Sequence, residues 1–165
     1  MRLSFPIARQ SDAPALAALH TAIAEDLTRR FGRGQWSMKT RERGVLFAMR
    51  HSRVLVARKG KGIVGTLHLH IKKPWAIDVS YFAPVEKALY LTSMAVIPAM
   101  QCQGIGRQLI KEAVKHALVW PVGAIRLNAF DADAGAGPFY AKSGFLEVGR
   151  VIHRKDPLIY FELLL

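Results

Sequence analysis

The residues best spaced for chemistry are Gln101, Gly104 and Gly106, in the run Gln101-Cys102-Gln103-Gly104-Ile105-Gly106-Arg107. Glycines one residue apart leave backbone N–H groups uncovered by side chains. The apolar repeat at Ile105, Leu109, Ile110, Ala113, Val114, Ala117 and Leu118 predicts that they open an amphipathic helix. The unpaired amides at the start of such a helix, with its dipole behind them, attract an anion such as phosphate. Spacing excludes two familiar phosphate loops. A Walker loop requires Lys and then Ser or Thr after its last glycine, where this chain has Arg107 and Gln108, and a dinucleotide fingerprint requires a small residue where Leu109 stands.

Such a loop must be held between a strand and a helix. Leu89 to Ile97 alternates only weakly, as a strand buried on both faces does, and Pro98 ends it. Nearer the N-terminus, Ser4 to Arg9 reads as a first strand. Ser11 or Asp12, with Pro14 just inside, starts a helix carrying Leu16, Leu19, Ile23 and Leu27 on one face up to Arg30. Gly32 and Gly34 end that helix, and a second falls between Thr40 and Arg50 with Val45, Leu46 and Met49 buried. Arg53 to Lys59 and Ile63 to Lys73 are strands joined by a glycine-rich turn. The second alternates Leu67, Leu69 and Ile71 against His68 and His70, so both imidazoles leave on one face, either as bases for an acceptor or as sheet residues with satisfied nitrogens. Pro74 to Lys87 is a long connection with Trp75, Tyr81 and Phe82, suited to lining an acceptor site or packing a subunit. After the central helix, Pro121 and Gly123 make a stop, Ala124 to Phe130 is a strand, and Glu147 to Arg154 and Leu158 to Leu164 are two more.

A chain of 165 residues with 51% hydrophobic content can hide roughly 70% of its unfolded surface, and one domain over residues 1–165 is expected. Apolar runs are far shorter than a membrane span and the N-terminal stretch lacks a signal-peptide hydrophobic region, so a cytoplasmic protein without a membrane partner is expected. The single cysteine, Cys102, excludes an intramolecular disulfide; the six histidines lack zinc-ligand spacing, and no metal is expected. Lys and Arg outnumber Asp and Glu by 24 to 12, a formal charge of +12 that attracts polyanions. The basic residues are scattered and no RNA-binding aromatic signature accompanies them, so contact with nucleic acid is expected to be weak and non-specific.

The central stretch resembles the acetyl-CoA loop of the GNAT superfamily of N-acetyltransferases. The family pattern Gln/Arg-x-x-Gly-x-Gly/Ala is matched by Gln101, Gly104 and Gly106, and the preceding strand commonly ends in an apolar-Ala-Val-x-Pro run like Met94 to Pro98. A second motif is similar downstream. There Phe139, Tyr140, Lys142, Gly144 and Phe145 match Phe-Tyr-x-Lys-x-Gly-Phe, and Asp133 stands where many relatives have Asn. The order of elements extends the resemblance over nearly the whole chain. It implies an α/β GNAT fold: a mixed, mostly antiparallel sheet of about six to seven strands with helices on both faces. Leu89 to Ile97 and Ala124 to Phe130 would form a central parallel pair that splays to admit the pantetheine arm. The resemblance also implies that backbone groups of Met94, Ala95 and Val96 line that arm and hold the acetyl carbonyl. Amides from Cys102 through Gln103, Gly104, Ile105, Gly106 and Arg107, with Gln101 beside them, would hold the pyrophosphate, and Asp133 takes the position of the family's contact to the arm. Tyr140 would be the general acid.

Moving an acetyl group from a thioester to an amine needs a free amine, a polarised carbonyl and a protonated leaving thiolate. The base stays open. Some relatives carry a Glu on a central strand, but Thr92, Ser93 and Asn128 occupy those positions here, leaving water, His68, His70, Asp78 or Glu86. Cys102 could accept an acyl group, but the resemblance puts it at the pyrophosphate end, so direct attack in a ternary complex is expected. The expected function is an acetyl-CoA-dependent N-acetyltransferase acting on a primary amine of a small molecule or protein. The alternatives are a non-catalytic acyl-CoA-binding domain and a basic ribosome- or RNA-associated module. The acceptor is set by loops, among them the one carrying Trp36, which either overhangs the acceptor site or caps the core. A homodimer is compatible with the chain.

Overall fold

The computed structural model describes residues 2–165, leaving out Met1 of the expected domain. Seven strands make one sheet: β1 (Leu3–Ser4), β2 (Arg53–Lys59), β3 (Gly62–His70), β4 (Ala88–Val96), β5 (Ala124–Phe130), β6 (Leu146–His153) and β7 (Asp156–Leu164), in the order β1-β2-β3-β4-β5-β7-β6. Every neighbouring pair is antiparallel except β4 and β5. The helices are α1 (Ala13–Phe31), α2 (Glu42–His51), α3 (Ile105–Val119) and α4 (Gly137–Lys142).

Strand β2 shows how the alternation of a strand builds two layers. Val54 and Val56 pack with Ala13 and Leu16 of α1 and Val45 of α2, whereas Leu55 and Ala57 join the larger core of Leu67, Leu69, Leu91, Ile125, Leu127 and the α3 residues Ile105, Leu109 and Ala113. Helices therefore cover both faces, α1 and α2 on one, α3 and α4 on the other.

The central parallel pair opens. Strands β4 and β5 are matched only at Ala88 with Ala124, Leu89 with Ile125 and Tyr90 with Arg126, while β5 stays paired to β7 as far as Phe130. On its other side β4 stays on β3, with a bulge: His68 faces Thr92 but Thr66 faces Ala95, and Ser93 takes a φ of 51°. Past the third pair, β4 and β5 therefore present facing edges with a gap between them.

Where the pair is still closed, a buried ion pair binds it. Arg126 and Glu162, 5% and 3% exposed, meet at 2.9 Å. Arg126 also donates from Nη1 to the Tyr90 hydroxyl at 3.2 Å and from Nη2 to the Ala83 carbonyl at 2.7 Å, and the Ala83 N–H donates to Glu162 Oε1 at 3.0 Å. Tyr160 donates its hydroxyl proton to the Ala76 carbonyl and accepts from the Asp78 N–H at 3.1 Å. The long connection after β3 is thereby held against its own sheet. At Gly149 of β6 an added Cβ would stand 2.3 Å from the Tyr81 ring, so only glycine leaves that ring its place.

Three strands have a boundary that moves by more than one residue. Strand β1 ends at Ser4 because Pro6 has no N–H for a ladder, although Ala8 still donates to the Val54 carbonyl at 2.8 Å. β3 ends at His70, short of Lys73. β7 begins two residues before Leu158; Pro157 is tolerated at the strand's start, where only β6 lies beside it in the sheet. The hairpin joining β6 to β7 turns through Arg154 and Lys155, both left-handed with φ of 48° and 73°, as a two-residue turn matched to strand twist requires.

Removing Glu162 would strand a buried guanidinium. Glu162→Ala is expected to lower the unfolding free energy by roughly 3–5 kcal/mol, and the paired change Arg126→Met with Glu162→Leu to recover most of that loss, both read by urea denaturation. A loss under about 1 kcal/mol in the single variant would show that the pair does not hold the sheet.

Candidate active site

After β4, Pro98–Met100 forms one tight turn, and the chain enters α3 through two left-handed residues, Cys102 (φ 60°) and Gly104 (φ 84°). Nothing lies within 4 Å of a Cβ placed on Gly104, so glycine is needed there for its backbone conformation. The first helical bond runs from Gln108 N–H to Gly104 O at 3.1 Å, which leaves the amides of Ile105, Gly106 and Arg107 without helical acceptors. Ile105 is buried and anchors the turn, while Cys102, Gln103, Gly104 and Arg107 are exposed. Gln101 points inward, its Nε2 donating to the Val96 carbonyl at 3.0 Å, and so ties the loop to the end of β4.

Gly106 has a different purpose from the uncovered amide that the sequence suggests. An added Cβ would sit 3.0 Å from the Phe139 ring and 3.4 Å from the terminal methyl of Met94, so β4, α3 and α4 meet at this one point. The short helix α4 carries Tyr140, 7% exposed, whose ring packs edge-on to Phe139 and Phe145 at 5.2 and 5.7 Å and lies tilted 6.0 Å from Phe161. Burial pushes the phenol's pKa well above its ordinary value, so its hydroxyl stays protonated. Asp133 is exposed in the turn before α4, where Gly135 N–H bonds the Ala132 carbonyl; it is not on the helix. Ala95 is buried, and Met94 and Val96 are half-buried.

The opposite face of the gap carries imidazoles. His70 Nε2 lies 2.7 Å from Thr92 Oγ1. His68, 6% exposed, stands with its ring 6.2 Å from that of His70 and 6.0 Å, edge-on, from that of His20 on α1. Among the described residues, the His68 Nε2 is the one buried side-chain nitrogen or oxygen without a hydrogen-bond partner. Burial, and then repulsion by His20 and His70, brings the His68 pKa down to about 3; burial lowers those of His20 and His70 as well. Sequence reading passed over His20, whose signal was a histidine one helical turn after the core residue Leu16. Trp36 comes in from the connection between α1 and α2, donating to the Gly32 carbonyl at 2.8 Å and standing edge-on to Phe130 at 5.9 Å, at the open end of β5.

The remaining candidate bases lie elsewhere. Asp78 Oδ1 accepts from Ser80 N–H and hydroxyl at 3.0 and 2.7 Å. Glu86 lines a cavity of about 780 Å³ with Lys87, Trp120, Val122 and Arg126, at the paired end of β4 and β5. That cavity is at the other end of β4 from the glycine turn. No group of His, Cys, Asp and Glu among the described residues is arranged to hold a metal ion, and no helix among them is long and apolar enough to cross a membrane.

A mostly antiparallel sheet opened at one parallel pair, with a glycine-started helix at the opening, is the architecture of an acetyltransferase. The model of the acetyltransferase (GNAT) family matches residues 20–145, and the chain belongs to that family. Its fold is similar to that of the ribosomal-protein-alanine N-acetyltransferase from Brucella melitensis, at 19% identity and a TM-score of 0.74 over 98% of this chain and 99% of that one. It is similar also to PaiA N-acetyltransferase from Thermoplasma acidophilum in complex with coenzyme A, at 15% identity and a TM-score of 0.74 over 97% and 98% of the two chains. A GNAT-family acetyltransferase from Listeria monocytogenes superposes with a TM-score of 0.76 at 18% identity over 99% and 95%. No curated protein matches the chain in sequence.

The buried histidine makes stability depend on pH. Unfolded, the His68 ring takes a proton near pH 6.5; folded, it stays neutral down to about 3. The unfolded chain therefore binds more protons in that window, and stability is expected to fall with pH by about 1.4 kcal/mol per unit for this one group. In His68→Leu the slope of unfolding free energy against pH below 6 is expected to be shallower by about that amount. Equal slopes in the two proteins would place the neutral ring elsewhere.

Proposed function

We propose that residues 1–165 act as a single cytoplasmic domain that transfers the acetyl group of acetyl-CoA to a primary amine of a small molecule or protein, by direct attack in a ternary complex. The observation that carries this reading is the opening of β4 from β5 beside the uncapped start of α3. Amides from Cys102 to Arg107 would bind the pyrophosphate, with the dipole of the 15-residue α3 behind them. The facing edges of β4 and β5 offer backbone groups to the amides of the pantetheine arm, with Asp133 near its path, and the bulge at Ser93 turns the backbone of Met94, Ala95 and Val96 towards the acetyl carbonyl.

In the reaction the amine nitrogen bonds to the acetyl carbon, the carbon–sulfur bond breaks, and Tyr140 gives its hydroxyl proton to the leaving sulfur. The packing of Tyr140 against Phe139, Phe145 and Phe161 supports that role by holding its ring in one position. Cys102 serves through its backbone, being exposed at the turn. The basic surface binds nucleic acid weakly and without sequence preference, through attraction that fades with salt.

Calorimetric titration is expected to detect binding of CoA and of acetyl-CoA at low salt, with NAD and ATP far weaker, and Gly104→Val to abolish it by forcing the turn out of its left-handed conformation. No binding of CoA would overturn the reading. Given a productive amine from a screen of small amines and peptide N-termini with thiol detection, Tyr140→Phe is expected to keep its CoA affinity while kcat falls at least about tenfold, or about 1.4 kcal/mol of barrier. An unchanged chemical step in single-turnover kinetics would make Tyr140 a packing residue.

A further inference from the structure

Thr92 stands where the two halves of the cleft meet. It is the last residue of β4 before the bulge at Ser93, and it lies beyond Tyr90, the last residue matched to β5, so it borders the gap. In the ladder Thr92 faces His68 and Tyr90 faces His70, so His70 reaches diagonally to bring its Nε2 within 2.7 Å of Thr92 Oγ1. A threonine hydroxyl is no base by itself. With an imidazole nitrogen accepting its proton, its oxygen can take one from a third group.

We propose that Thr92 and His70 form a relay that removes the proton of the acceptor's ammonium group, a proposal that rests on the acetyl-transfer reading above. Thr92 Oγ1 takes a proton from the nitrogen as the N–H bond breaks, and the hydroxyl's own proton passes to His70 Nε2. The imidazolium so formed releases a proton to water, which reaches the half-buried ring, and exchange with that water returns the ring to the Nδ1-protonated form for the next turnover. One proton leaves the protein per turnover, matching conversion of an ammonium and a thioester to an amide and a thiol. A second amine proton makes good the one Tyr140 gives to sulfur.

The surroundings suit a neutral ring waiting for a proton. The titratable groups near His70 are His68 on its own strand, His20 beyond it on α1, and Tyr90 on β4, whose hydroxyl accepts from Arg126 of β5. Lys73, just past the strand, is turned away and donates to the Ile77 carbonyl at 2.7 Å. Burial holds His70 below the usual imidazole range, so it is uncharged at neutral pH. Among the described residues, the side-chain bond of the ring is to Thr92 and no carboxylate is bonded to it to fix a positive charge. His68, against it, stays neutral, with its Nε2 buried and without a partner.

The test measures kcat/KM against pH, from about 5 to 9, with a short alanyl peptide and with benzylamine as acceptors. His70→Gln and Thr92→Val are expected to lose at least tenfold near pH 7 and to recover as pH approaches the acceptor's own pKa, because an amine already deprotonated needs no relay. Thr92→Ser is expected to restore most of the rate. A loss of the same size at every pH, or no loss, would overturn the relay. Nitrogen-15 spectra of the wild-type imidazoles need no acceptor. They are expected to show His70 protonated on Nδ1, with Nε2 accepting; protonation on Nε2 would overturn the relay even if neither amine is acetylated. Wild-type protein that binds CoA but acetylates neither amine counts against the transfer reading for those acceptors, and the nitrogen spectra still decide the relay.

Discussion

Two adjacent strands that pair for three residues and then part are the constraint on which this molecule depends. A sheet edge normally faces solvent or is covered, since its N–H and C=O groups need partners. Here β4 and β5 present such edges to each other in the middle of a seven-stranded sheet, each supported only from behind, β4 by β3 and β5 by β7. At the closed end Arg126, Glu162 and Tyr90 tie β5, β7 and β4 together around a buried charge pair. Near the open end the bulge at Ser93 turns β4, and the contact of Phe139 with Gly106 seats α4 against α3.

The two faces of the opening differ in chemistry. On the α3 side it meets aromatic packing around Tyr140 and the exposed amides of a helix start, an arrangement suited to an anionic, elongated ligand with a soft atom at its end. On the α1 side it meets Thr92, three neutral imidazoles and the aromatic pair of Trp36 and Phe130. In the proposed reaction a donor and an acceptor would approach from opposite sides and meet at β4, where the register changes at Ser93. The excess of 12 positive charges favours the anionic partner throughout.

Much of this was legible in the residues, and the rest was hidden for identifiable reasons. The spacing of Gln101, Gly104 and Gly106 and the run from Phe139 to Phe145 marked the family, and the alternation of Leu67, Leu69 and Ile71 placed His68 and His70 together. The purpose of Gly106 could not be read locally, because Phe139 is far along the chain. The same holds for Arg126 and Glu162, 36 residues apart, which look like two ordinary surface charges until β7 is known to lie against β5. His20 was hidden because an imidazole on a helix face otherwise made of Leu and Ala carries no mark of the strand it meets. Asp133 matched a motif position, but the glycines and proline after it delay the helix to Gly137 and leave it on a turn.

The order β5-β7-β6 in space against β5, β6, β7 in the chain bears on how the molecule is made. When β6 emerges from the ribosome its place is two strand spacings from β5, about 10 Å, with an empty slot between. It has nothing to pair with until the left-handed turn at Arg154 and Lys155 brings β7 back beside it, so the two are fitted to dock as a finished hairpin. Until then Arg126 has no counter-charge, and β5, the far edge of the cleft, has no strand behind it. The segment from β2 through α3, which carries the turn at Gly104 and Gly106, has by contrast every sheet neighbour already translated except β5, which follows at once. Nascent chains arrested before β7 would therefore hold both strand edges of the cleft with β5 unsupported from behind, a state prone to pairing its bare β5 edge with a stranger.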